Sequence, residues 1–427
     1  MLDLFTDRFA IALEGGVHTL DTITGTADAD TLNGTTGDDV ILGKGGGDLI
    51  SADDGNDSID GGAGDDTLFG GFGSDTILGG IGNDFIIAQG ADDDTVGDSV
   101  DGGDGADAIQ SGSGANTIDG GAGDDGINSY GDGSVLHGGD GNDQIANTGS
   151  ISGAASSDML FFGDGGDDVL FFGQSSAKGA IGSSLYGGDG NDVLNIFNGA
   201  SGHVGSYYSG GDGDDLFKAR ASGDDTVDGG TGFDVVSYIG RAYGVICDLA
   251  EQTASGKGIG HDSLVSIEGF VGGIAADVAT GNGLANSLAG KNGSDLLIGA
   301  GGDDTINGGG LDDTLTGGLG ADHMNGGGGH DTFVYNSVTE STDTARDIID
   351  HLKKHDVIDL SAIDADVNTS GDQAFVRVAS FDGHAGQMTL TFSGGVTLLQ
   401  VDVDGDAQAD MTIQLTGHVT GHTAFVL

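Results

Sequence analysis

Aspartate recurs every nine residues across Gly25–Ile87, at Asp30, Asp39, Asp48, Asp57, Asp66, Asp75 and Asp84. Each is the sixth residue of a unit such as Gly61–Phe69 (GGAGDDTLF), which opens on glycines and has Leu or Ile at its eighth place. The eighth places here are Leu32, Ile41, Ile50, Ile59, Leu68, Ile77 and Ile86. Carboxylates stacked at strand spacing, about 4.8 Å, repel one another unless a cation lies among them. Ca²⁺ suits such a row, because it is a hard ion that takes six to eight oxygens, and Asp side chains with turn carbonyls can supply them.

Glycine permits positive φ, so the first six residues of each unit read as a turn. The last three read as a short strand with one inward side chain, the eighth. Two units then complete one coil of a flattened parallel roll, and sixth places eighteen apart share an edge. Asp30, Asp48, Asp66 and Asp84 fall on one edge, and Asp39, Asp57 and Asp75 on the other. The expected fold class is all-β: a parallel β-roll solenoid with a small C-terminal β domain.

The register breaks across 88–101 and restarts at Gly102. One edge keeps Asp107, Asp125, Asp143, Asp168, Asp192 and Asp215. The other carries Asn116, Ser134, Asp158, Ser183 and Ser206, before Asp225 and Asp234 restore the period. Extra residues fall on that weakened edge, which predicts enlarged loops at 147–152, 172–177 and 196–200. Aromatic residues cluster in the same section: Phe161, Phe162, Phe171, Phe172, Tyr186, Phe197, Tyr207 and Tyr208. They fit either a widened core or a contact face. After an irregular stretch, Gly272–Val334 supplies seven more units, with Asp277, Asn286, Asp295, Asp304, Asp313, Asp322 and Asp331 at the sixth place.

The pattern G-G-x-G-x-D-x-U-x, with U a large aliphatic, resembles the calcium-binding nonapeptide repeat of RTX proteins. The resemblance implies that each ion sits between successive coils on one edge, and that the sixth-place aspartates are ligands. Beyond Val334, the stretch entered through DTFVYNS resembles the C-terminal domain of serralysin-type proteases and related RTX proteins. That resemblance implies a type I secretion signal and export through the type I machinery to an extracellular or cell-surface location. The N-terminal MLDLFTDRFAIALEGG lacks a basic n-region and a continuous apolar run, so a cleavable signal peptide is not expected there. The expected plan is a cap (1–24), a first repeat block (25–101), a second with enlarged loops (102–237), an irregular β insertion (238–271), a third block (272–334) and a C-terminal β domain (335–427). Leu2, Phe5, Phe9 and Leu13 suit a short amphipathic helix or a covering strand.

Composition agrees. Of 69 acidic residues only four are Glu, and the chain has 89 Gly and no Pro. A formal charge of −57 excludes nucleic-acid binding and favours a compact state only with cations bound. No stretch suits a membrane span, and the single cysteine, Cys247, excludes a disulfide framework. The 427 residues hold neither the zinc motif H-E-x-x-H nor a G-x-S-x-G elbow, so no enzyme is expected. Asp402, Asp404, Asp406 and Asp410 form a further acidic loop, either a charged hairpin turn or a calcium site. The expected function is a calcium-folded structural protein of a surface layer or extracellular matrix, with self-assembly or a surface glycan as possible partner. A secreted adhesin or glycan-binding module comes second, and a polysaccharide-acting enzyme third.

Overall fold

The computed structural model describes residues 7–13, 16–89, 96–131, 133–148, 159–174, 183–198, 205–219 and 223–427. The described chain is all-β apart from one 3₁₀ turn, Val338–Glu340, and forms two compact units, Met1–Asp234 and Val235–Leu427.

In the first unit, Asp7–Leu13 pairs antiparallel with Gly16–Thr24, so Phe9 and Leu13 lie in a strand, while Leu2 and Phe5 fall outside the described residues. Gly16–Thr24 then pairs parallel with Asp39–Leu42, and the following strands continue as two parallel sheets. Register within each sheet matches equivalent places of units one coil apart, as in Ile59 with Ile77 and Leu68 with Ile86. Eighth-place side chains from both sheets meet in the middle: Ile41, Ile59, Ile77 and Ile118 from one, Ile50, Leu68, Ile86 and Ile109 from the other, all buried. Further along, the same column holds Phe161, Leu170, Leu185, Leu194, Tyr208 and Phe217, so larger side chains do fill the core there. Leu170 is fully buried. Leu170→Ala is therefore expected to cost about 2–5 kcal/mol, read as a lowered urea midpoint in calcium-saturated protein.

Many of the strands are longer than the three residues expected. Thr76–Ile81 and Ser58–Ala63 run into the first three places of the next unit. The cause is that the ladder continues through the glycines, with Ala63 N–H donating to the Lys44 carbonyl and Gly64 N–H to that of Ile81.

In the second unit, the irregular stretch is a short antiparallel meander of Val245–Asp248, Thr253–Gly256 and Gly260–Val265. Cys247 is buried within its first strand. Val245–Asp248 pairs parallel with Val278–Thr280, and the roll resumes. Coiling does not end at Val334. Ile348–Asp350 and Val357–Asp359 add parallel strands after the glycine period has stopped, with Ile349 and Ile358 buried in the column. Gln387–Ser393, Val396–Asp402 and Met411–Thr416 then form an antiparallel sheet that joins Ile348–Asp350.

Candidate metal centre

Each sixth-place carboxylate sits where a turn hands over to a strand, and it reaches one coil back. Asp66 Oδ1 accepts from Asp48 N–H (2.6 Å), Asp84 from Asp66 (2.8 Å), Asp107 from Asp84 (2.7 Å) and Asp125 from Asp107 (2.7 Å). The row continues through Asp143, Asp168, Asp192, Asp215 and Asp234 at 2.7–2.9 Å. Asp30 N–H, donating to Asp48 Oδ1, begins it. One edge of the first unit is thus an uninterrupted row of eleven aspartates.

The opposite edge starts the same way, with Asp39 N–H donating to Asp57 Oδ1, Asp57 to Asp75 and Asp75 to Asp98. It then becomes neutral. Asp98 N–H donates to Asn116 Oδ1, and Asn116 N–H to Ser134 Oγ. Ser111, Ser129 and Ser134 hydroxyls link to one another at 2.9 and 3.3 Å. Asp225 rejoins the row by accepting from Ser206 N–H. In the second unit, Asp277, Asp295, Asp313, Asp331 and Asp356 share one edge, and Asn286, Asp304, Asp322 and Asp347 the other.

Asn116 shows what the second atom of a sixth-place side chain faces. Its amide nitrogen donates to the Gly112 carbonyl (3.1 Å), the Gly114 carbonyl (3.0 Å) and Ser111 Oγ (2.9 Å), all in its own turn. In the aspartate turns the equivalent atom is Oδ2, which can only accept. It is buried without a hydrogen-bond partner in Asp48, Asp57, Asp66, Asp84, Asp107, Asp125, Asp143, Asp168, Asp192 and Asp215. The same holds for Asp295, Asp304, Asp313, Asp322 and Asp331. A buried anion that faces carbonyls and has no donor requires a cation, so these turns fit an oxygen-seeking divalent ion such as calcium. Three aspartates differ. The Oδ2 atoms of Asp30, Asp39 and Asp277 accept from second-place backbone N–H groups of Thr26, Thr35 and Gly273, at 2.6, 2.6 and 2.7 Å.

Glycine keeps the cradle open. A Cβ on Gly120 would lie 2.5 Å from Asp125 Oδ2, and one on Gly123, at φ +130°, would strike the Gly105 carbonyl. Burial, opposed by the backbone hydrogen bond and reinforced by neighbouring aspartates, pushes Asp57, Asp125 and Asp168 up to about 7. Asp304 and Asp313 also rise to about 7, and Asp66, Asp84, Asp192, Asp215, Asp295 and Asp322 to about 6, with burial again the main cause. Burial thus brings these carboxyls close enough to neutral pH that protons compete with calcium for them.

Reading the sequence missed several positions. Asp98 occupies a sixth place inside the register break, and the fragment GDSVDGG keeps its unit intact on the downstream side. Met159, not Asp158, takes the next such place on the neutral edge, since Leu160 N–H donates to the Ser134 carbonyl and Ser184 N–H to that of Met159. An insertion of variable length had hidden that one-residue shift. Asp347 and Asp356 carry the rows past the last glycine-rich unit, visible in the sequence only as Asp-x-Ile-Asp in RDIID and HDVID. Burial pushes Asp347 up to about 8. The expected loops at 147–152, 172–177 and 196–200 begin later than the spacing suggested, since Gln144–Asn147, Val169–Gln174 and Val193–Asn198 are strands whose ladder carries on past the eighth place, and 149–152, 175–177 and 199–200 lie outside the described residues. At the acidic loop, oxygens of Asp402, Asp404 and Asp410 lie within 4.8 Å of one another. Backbone N–H groups of Gly405 and Ala407 already occupy Asp402, and Val403 N–H occupies Asp410 Oδ2, which is hairpin-turn geometry.

Fold and site together define a calcium-binding β-roll. The family described as the RTX calcium-binding nonapeptide repeat (4 copies) matches residues 20–50, 42–77, 51–86, 69–101, 94–127, 101–134, 131–147 and 183–195. The family described as peptidase M10 serralysin C terminal matches residues 262–427. The chain thus carries RTX repeats, which bind calcium ions, and a serralysin C-terminal domain, the combination of a type I secreted protein. It is similar to "Metalloprotease AprA" of Pseudomonas entomophila (strain L48), at 40% identity over 198 residues, covering 44% of this chain and 36% of that protein. The chain therefore matches only about a third of the length of that relative. No helix among the described residues is long and apolar enough to cross a membrane.

Proposed function

We propose that the protein is a secreted structural component, of a surface layer or extracellular matrix, that folds when it meets external calcium. In this reading the sixth-place aspartates with unpartnered Oδ2 atoms are the calcium ligands, together with Asp75, Asp225 and Asp234 in the same rows. The carboxylate oxygens and the converging turn carbonyls would hold the ion, which supplies the positive charge the row lacks. Asp30, Asp39 and Asp277 contribute to the end turns, where a backbone N–H takes part of that role. The observation that carries the reading is the uninterrupted row Asp30–Asp234, which runs the length of the first unit. Low cytosolic and high external calcium would delay folding until after export. The outward sheet faces support an assembling role, since Leu49, Leu78, Ile81 and Phe85 are exposed on the regular repeats. Light scattering and circular dichroism recorded together across a calcium titration test this. Folding followed by ordered, chelator-reversible assembly is expected, and a chain that stays monomeric at all concentrations contradicts the assembly role.

A binding role has its own support in one outer face. His137, Phe162 and Tyr186 stack along successive strands, with ring centroids 4.4 and 4.9 Å apart, and Tyr207 follows at 5.8 Å with its ring tilted by 47°. His137 Nδ1 lies 2.8 Å from Asp164 Oδ2, and the Tyr207 hydroxyl donates to Asp228 Oδ2. Rings stacked on each other present their edges outward, so this ladder also ties together coils whose neutral edge lacks aspartate. A glycan array probed with the full chain and with Phe162→Ser separates the two roles.

A further inference from the structure

The chain has only 12 Lys and Arg against 69 acidic residues, yet it places lysines at the ends of the aspartate rows. In the second unit, the row Asp277, Asp295, Asp313 and Asp331 ends at Asp356. Lys353 closes that end. Its backbone N–H donates to Asp356 Oδ2 at 2.7 Å, and its ammonium donates to the Gly327 carbonyl. Gly327 is the second place of the turn that leads to Asp331. A second-place carbonyl is one of the two that the Asn116 amide satisfies in its own turn. Asp331 Oδ2 is buried there without a hydrogen-bond partner.

At the opening of the first unit a lysine again crosses between coils, here to a first-place carbonyl. Lys44 occupies a second place at φ +81°, where the neighbouring coil has glycine. Its ammonium donates to the Gly25 carbonyl at 3.0 Å, across the gap between the Asp30 and Asp48 turns. In the Asp30 turn the carboxylate is already met by the Thr26 N–H and hydroxyl. At both ends a tethered ammonium therefore sits on a carbonyl of a turn that carries a row aspartate.

We infer that Lys353 and Lys44 are built-in cations that fill the terminal inter-coil gaps, Asp331 to Asp356 and Asp30 to Asp48, in place of calcium. This rests on the sixth-place aspartates being the calcium ligands. A lysine satisfies one carbonyl and one charge without depending on external ion, so the exposed last coils stay closed when calcium exchanges. It also sets how many ions the chain takes.

Bound calcium per chain, measured by equilibrium dialysis of the full-length protein, tests the inference. Lys44→Gly and Lys353→Ala are each expected to raise the count by one and the double variant by two, with Lys354→Ala unchanged. Glycine suits the positive φ at position 44, so that variant keeps its backbone. If Lys353→Ala does not fold, Lys353→Met, which removes only the charge, decides the second gap. Unchanged counts in folded variants overturn the lysine assignment while leaving the ladder intact. A parent chain that binds no calcium overturns the ladder itself.

Discussion

Removing calcium with a chelator at pH 7.4 is expected to abolish the β-rich circular dichroism spectrum of the full chain. Two carboxylates about 4.8 Å apart at an effective dielectric of about 20 repel by roughly 3.5 kcal/mol. Two or three such contacts match the whole stability of a typical domain, about 5–15 kcal/mol, and the first unit alone stacks eleven aspartates on one edge. Acid should act in opposite directions with and without calcium. Burial raises Asp57, Asp125 and Asp168 from 3.8 to about 7 and Asp66 to about 6. Their protonation therefore favours the roll without calcium, fully below about pH 4, and the benefit is lost as pH rises through 6 to 7. In chelator, acidification from pH 7.4 should restore β signal. At limiting calcium, the same change should first release ion, because protons compete for the same oxygens. A chelated spectrum that is unchanged at pH 7.4 would sink this account of the folding energy.

The largest single-residue effect is expected at Asp125. Its Oδ1 holds the Asp107 N–H, its Oδ2 is unpartnered, and the neutral edge beside it, at Asn116 and Ser134, has no carboxylate to share the load. Asp125→Ala leaves a buried N–H unpaired, at about 1–3 kcal/mol. With the ligands as proposed, it also weakens the gaps above and below, each of which would contribute about 2.7 kcal/mol at calcium a hundredfold above its Kd. The calcium midpoint for folding should rise by at least tenfold. Asp125→Asn should be milder, because Oδ1 keeps the Asp107 contact while the amide nitrogen can meet the turn carbonyls as Asn116 does. Calcium titrations followed by circular dichroism distinguish the two, and equal losses in both variants would contradict the separate roles given to the two oxygens.

Much of this structure was legible from spacing. A period of nine, a sixth-place Asp and an eighth-place aliphatic fix the coil, the two edges and the core column, because one buried side chain per strand leaves little else to specify. Legibility failed where insertions shifted the frame. Asp98 was hidden by the break before it, and Met159 was displaced by one residue from the expected Asp158. It failed again where the coil dispensed with glycine. Asp347 and Asp356 hold their places through strand pairing to Met324 and Phe333 neighbours, not through a glycine turn. The closing lysines left no periodic signal at all, since each appears once at the end of a row.

The most direct test is long-wavelength diffraction from crystals grown in calcium. Anomalous peaks should form a row between successive coils along the Asp48–Asp234 edge, each beside a sixth-place carboxylate. The opposite edge should show none between Asn116 and Ser206. Peaks distributed equally on both edges through that section, or a folded roll with none on the aspartate edge, would contradict the assignment of the ligands.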